Sequence, residues 1–74
     1  MDKKGIEEYF RKNSKEIGIR ESIIYILDIT VDVFFETYYT VHYFYMDDGG
    51  CKFKGQYGIS VEDFREFKLN KILD

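Results

Sequence analysis

Six carboxylates, Glu21, Asp28, Asp32, Glu36, Asp47 and Asp48, fall between residues 21 and 48, and no Lys or Arg lies among them. The net charge of -3 over 74 residues therefore hides a division, because the rest of the chain is net basic. Asp28, Asp32 and Glu36 recur at every fourth position. On a helix they form one ridge about 6 Å apart along the axis; on a strand they share a face about 13 Å apart. Either geometry makes a row of like charges that repels itself, with no base nearby to offset it. Such a row can keep a face solvated, or it can meet a basic surface. The commonest large basic surface in a cell is a groove that binds nucleic acid.

Other chemistry has little to work with. One histidine, His42, and three serines, Ser14, Ser22 and Ser60, give no pattern that joins nucleophile, base and orienting group. One cysteine, Cys51, permits neither an internal disulfide nor a thiolate cage for zinc, so no metal and no cofactor are expected. The chain reads as a non-enzyme. Its bases are dispersed from Lys3 to Lys71 rather than gathered in a stripe, which argues against direct binding of nucleic acid. The longest apolar run, Ile23 to Leu27, is far short of the roughly 18 to 20 residues that span a bilayer. Met1-Asp2-Lys3-Lys4-Gly5 opens a charged stretch without an apolar signal core, so a cytoplasmic protein without a membrane partner is expected.

Positioning these carboxylates falls to one small domain over residues 1–74, because a chain this short closes around a single core. Ile6, Tyr9, Phe10 and Ile17 against Glu7, Glu8, Arg11, Lys12 and Lys15 make residues 2–16 an amphipathic helix, ended by Gly18. From Ile23 to Phe35 every odd-numbered residue is apolar, the period of a strand. Phe34-Phe35-Glu36-Thr37 lacks Gly, Pro, Asn and Asp for a tight turn, so a short helix over 28–36 competes with the strand. Tyr38 to Met46, the turn Asp47-Asp48-Gly49-Gly50 and Cys51 to Ile59 read as a hairpin. Its first strand puts Tyr39, Val41, Tyr43 and Tyr45 on one face and Tyr38, His42, Phe44 and Met46 on the other. One small core covers one such face, leaving the second to a satellite core or a partner. Ser60 and Asp63 suggest a helix cap, although Phe67 to Ile72 alternates and suits an edge strand as well. The expected class is α+β, an antiparallel sheet with two helices.

Lys15-Glu16-Ile17-Gly18-Ile19-Arg20-Glu21-Ser22-Ile23 resembles the first-strand segment of the phage uracil-DNA glycosylase inhibitors, with Glu21-Ser22-Ile23 at its centre. Val41-His42-Tyr43-Phe44-Tyr45 before an acidic turn looks like that family's second-strand Val-His-x-x-Tyr segment, and Asn70-Lys71-Ile72 looks like its closing strand. The three occur in the family's order. The resemblance implies a DNA mimic that lays the Glu-Ser-Ile strand in the enzyme's DNA groove, with Glu21 in place of a phosphate and Ser22, Ile23 and Ile24 along the groove's edge. It implies, too, an apolar pocket, here of Tyr25, Val33, Phe34 and Val41, that takes the side chain the enzyme wedges into DNA. Asp28, Asp32 and Glu36 would extend the acidic contact. The proline that opens the family's second helix is absent, and Arg20 stands where the family has an uncharged polar residue. The stretch from Asp47 to Gly50 and from Gly58 to Phe64 is also similar to part of a second, dimeric family of phage glycosylase inhibitors.

The implied partner is uracil-DNA glycosylase, met by a monomer. A different phage or mobile-element inhibitor or immunity protein, binding another nucleic-acid enzyme by the same acidic face, is the alternative. A dimer closed over the aromatic face is a third reading. A double-stranded-RNA-binding module fits the element order, but its second helix must start basic, and Ser60-Val61-Glu62-Asp63 is acidic.

Overall fold

The computed structural model describes residues 2–20 and 23–73. Its elements are α1 (Lys3–Asn13) with a 3₁₀ turn (Ser14–Ile17), β1 (Ile24–Val33), β2 (Thr37–Met46), β3 (Lys52–Ser60) and α2 (Val61–Leu73). The strands form one antiparallel sheet in the order β1-β2-β3, so both β1 and β3 are edges.

Asp2 starts α1 by accepting a hydrogen bond from the Gly5 N–H at 3.0 Å, which satisfies one of the free donors of the first turn. Arg11 and Lys12 sit in the last turn, where positive charge suits the helix dipole. Gly18 closes the segment at φ 74°, a left-handed conformation that glycine adopts without strain. The Ser60 hydroxyl accepts from the Asp63 N–H at 3.1 Å and caps α2. From there the chain stays helical to Leu73, so the alternating Phe67–Ile72 segment is helix and not an edge strand. The cap and the docking of Phe64 hold it against its period-two pattern.

Residues 28–36 are not a helix. β1 runs to Val33, and Phe34-Phe35-Glu36 reverses the chain into β2, with the Phe34 N–H donating to the Glu36 carbonyl at 2.9 Å. No residue in this turn needs a positive φ, which is why it forms without Gly, Asn or Asp. The β2–β3 turn is the expected one. Asp47 accepts from the Gly50 N–H through its carbonyl at 3.1 Å and from the Cys51 N–H through its carboxylate at 2.8 Å.

Both helices pack on one face of the sheet. Ile6 and Phe10 of α1, Ile24 and Ile29 of β1, Val41 and Tyr43 of β2, Ile59 of β3 and Phe64 of α2 form the core. Each such burial is worth about 1.5–3 kcal/mol. Phe10 lies 5.0 Å from Tyr43 and 5.4 Å from Tyr57 between ring centres, and Phe64 meets Tyr39 edge-on at 5.6 Å. Tyr39, Val41, Tyr43 and Tyr45 therefore make the covered face of β2, and among the described residues no helix lies over the opposite face.

A bulge decides which β1 residues go where. Ile26 pairs with Tyr43 and Asp28 with His42, so Leu27 has no partner. The inward set is even-numbered before the bulge, with Ile24 and Ile26, and odd-numbered after it, with Ile29. The uninterrupted odd-numbered pattern of the sequence therefore does not describe one face.

Candidate protein-binding face

Strand register places Tyr25, Asp28, Thr30 and Asp32 of β1 on the open face, beside Tyr38, Thr40, His42, Phe44 and Met46 of β2. Asp28 and Asp32 thus share a face as strand neighbours, about 13 Å apart. Asp28 accepts from the Ile29 N–H at 2.8 Å, and Asp32 accepts from the Thr30 hydroxyl at 3.2 Å. The same hydroxyl oxygen is 2.9 Å from His42 Nε2. With its one proton given to Asp32, Thr30 receives the Nε2–H of His42, which links β1 and β2 across the face. Glu36 lies in the turn beyond the strand. The Tyr38 hydroxyl hydrogen-bonds it, and that bond, with a smaller contribution from burial, holds Tyr38 above the ordinary tyrosine range.

The ion pairs among the described residues join α1 to itself, or α1 and its capping Asp2 to α2: Arg11–Glu7, Lys12–Glu8, Lys68–Asp2 and Lys71–Glu8. None of them reaches Asp28, Asp32 or Glu36. The nearest bases on the open face are Lys52 and Lys54 of β3, two strand spacings from β1, or about 10 Å. Lys52 sits 4.3 Å above the Phe44 ring, whose neighbour Tyr25 stacks on it at 5.0 Å. Among the described residues no three His, Cys, Asp or Glu side chains converge, so the row offers charge over a surface and not a chelate.

Other expected site residues fall in different places. Glu21 and Ser22 lie outside the described residues. Ile23 is half-buried and donates its N–H to the Arg20 carbonyl. Ile24 is 3% exposed and belongs to the core, so it is not a contact residue. The four residues expected to line one apolar pocket do not meet. Val41 is sealed beneath the helices, while Tyr25 is on the open face. Val33 and Phe34 are at the far end of β1, roughly 25 Å from Tyr25 by strand rise. The pocket supposed a helix over 28–36 facing the sheet; a strand continuous to Val33 removes its wall.

What the structure exposes instead is the β1–β2 tip. Val33, Phe34 and Phe35 are 76%, 74% and 110% exposed, flanked by Asp32 and Glu36. Phe35 was not among the expected site residues. Its signal is present in the sequence as two adjacent phenylalanines between acids, with no polar residue to cover them. No family model, no characterised protein and no solved structure matches this chain. Among the described residues no helix is long and apolar enough to cross a membrane.

Proposed function

We propose that the protein inhibits uracil-DNA glycosylase as a DNA mimic, binding as a monomer, through its acidic β1 face, the groove that otherwise holds DNA. The observation that carries this reading is the pairing of Asp28 and Asp32, without basic partners among the described residues, on an open edge strand with the exposed apolar tip Val33-Phe34-Phe35 beside them. A basic groove supplies the missing counter-charges. The tip supplies an apolar contact of the kind that anchors interfaces. The likeness of Glu21-Ser22-Ile23 to the inhibitors' strand names the enzyme, and that segment leads directly into β1. In this reading the chain has no catalytic activity, needs no cofactor and works in the cytoplasm of the host cell. Apolar contact with the enzyme passes from the four-residue pocket to the tip.

The test is binding to a purified family-1 uracil-DNA glycosylase by surface plasmon resonance. Glu21→Lys and Asp32→Lys each weaken the complex by about 2 to 5 kcal/mol, whereas Glu66→Lys, exposed on α2 in the opposite layer, costs under about 1. Equal losses at all three positions contradict the placement. Binding to a nuclease but to no glycosylase transfers the same face to the immunity-protein reading.

A further inference from the structure

One cavity lies away from the acidic row, where α1 and the 3₁₀ turn pass the start of β1. It is a groove of about 1010 Å³ lined by Arg11, Lys15, Gly18, Ile19, Arg20, Ile24 and Tyr25 among others. Its size matches the upper end of small-molecule sites, about 300–1,000 Å³. The lining is unusual for an acidic chain, since Arg11, Lys15 and Arg20 are cationic and no acid lines it among the described residues. Arg11 is oriented by a 3.3 Å hydrogen bond to the Ile24 carbonyl and by Glu7 at 3.5 Å. Lys15 and Arg20 enter no ion pair among the described residues. Below them the floor is apolar, of Ile19 and Ile24. One wall is Tyr25, a residue 54% exposed, whose ring stacks on Phe44 on the β2 side.

We infer that this groove binds a nucleoside monophosphate. Its phosphoryl group is taken by Lys15 and by the fork of Arg20, for which a dianion with several acceptor oxygens is the matching partner. Its base lies on Ile19 and against the free side of Tyr25, a ring already fixed in place and so costing little to order. A flexible aliphatic anion gains less, because the groove is open along its length and leaves such a chain half-solvated and newly ordered. A phosphorylated strand end carries the same chemistry, but a longer polyanion also meets the carboxylates Asp28 and Asp32 on the strand that carries Tyr25, so the free nucleotide is favoured.

The experiment is titration of the ¹⁵N-labelled chain with adenosine 5′-monophosphate, followed by amide shifts. Saturable shifts confined to residues 11–25 are expected. Adenosine alone and inorganic phosphate alone bind at least about tenfold more weakly, as does a 5′-phosphorylated tetranucleotide. Lys15→Glu and Arg20→Glu each weaken the monophosphate about tenfold, whereas Lys54→Glu on β3 leaves it unchanged. Absence of saturation overturns the inference. So does adenosine binding as well as its monophosphate, a tetranucleotide binding more tightly, or an equal loss from Lys54→Glu, which would leave only diffuse positive charge.

Discussion

Gly55 shows how closely single residues are fitted. It pairs across the sheet with Tyr43, and a methyl group at its α-carbon would fall 2.5 Å from the Tyr43 hydroxyl and 2.6 Å from its ring. Tyr43 is 8% exposed and packs on Phe10, so it has nowhere to move. Gly55→Ala is expected to cost about 1–3 kcal/mol in urea unfolding, the range for overpacking a core. A second residue-scale effect is electrostatic. The hydrogen bond from Gly5 N–H, and after it Lys68, hold the Asp2 carboxyl below its ordinary range, and the Lys71 hydrogen bond does the same for Glu8. Carboxyls held low bind protons less readily folded than unfolded. Their contribution is complete above the ordinary carboxylate range, about pH 4, and is lost as pH falls through the lowered values. The thermal midpoint should therefore drop below about pH 4, and Asp2→Asn with Glu8→Gln should flatten that acid limb. A double variant with the limb unchanged would show that these pairs do not couple folding to protons.

At the scale of elements, the β1 bulge separates what was legible from what was not. The α1 stripe, the Gly18 stop, the β2–β3 hairpin with its two faces and the Ser60 cap all follow from local chemistry, and all are present. Position 27 is different. Nothing in Ile26-Leu27-Asp28 marks a bulge, because its cause is the pairing with β2, where Tyr43 and His42 are adjacent but Ile26 and Asp28 are not. A single unannounced residue moved Ile24 into the core and Tyr25 out of it, away from Val41, while the strand running on to Val33 removed the rest of the expected pocket. The register yields a test. Deleting Leu27 restores simple alternation and keeps Ile29 inward and Asp32 outward, whereas deleting Thr30 turns Asp32 toward the core. The first variant should fold with a modest loss in midpoint by circular dichroism. The second should fail to give a cooperative transition, since an unpaired buried carboxylate is among the costliest substitutions. Equal behaviour of the two deletions would contradict the register.

Viewed whole, the molecule is a slab of 40 × 31 × 18 Å, with a helical layer that pairs its own charges and a sheet whose outer face does not. That asymmetry was half visible in the sequence, as the base-free stretch from Glu21 to Asp48. The exposed tip was not, because the resemblance puts Val33 and Phe34 in the wall of an apolar pocket with Tyr25 and Val41 and gives Phe35 no role. If charge alone held the complex with the enzyme, molar salt would dissolve it, because exposed pairs are screened within about 3 Å at that strength. Burial of the tip, at about 25 cal/mol per Å², is not screened. The wild-type complex is therefore expected to persist in molar salt and the Phe35→Asp complex to dissociate there, as read from dissociation rates.

The central claim is tested most directly by uracil release from a labelled oligonucleotide, measured as the protein is titrated into a family-1 uracil-DNA glycosylase. The account predicts that excision falls to nothing near a one-to-one ratio and that added DNA does not restore it. Undiminished release at concentrations well above the enzyme's would contradict it.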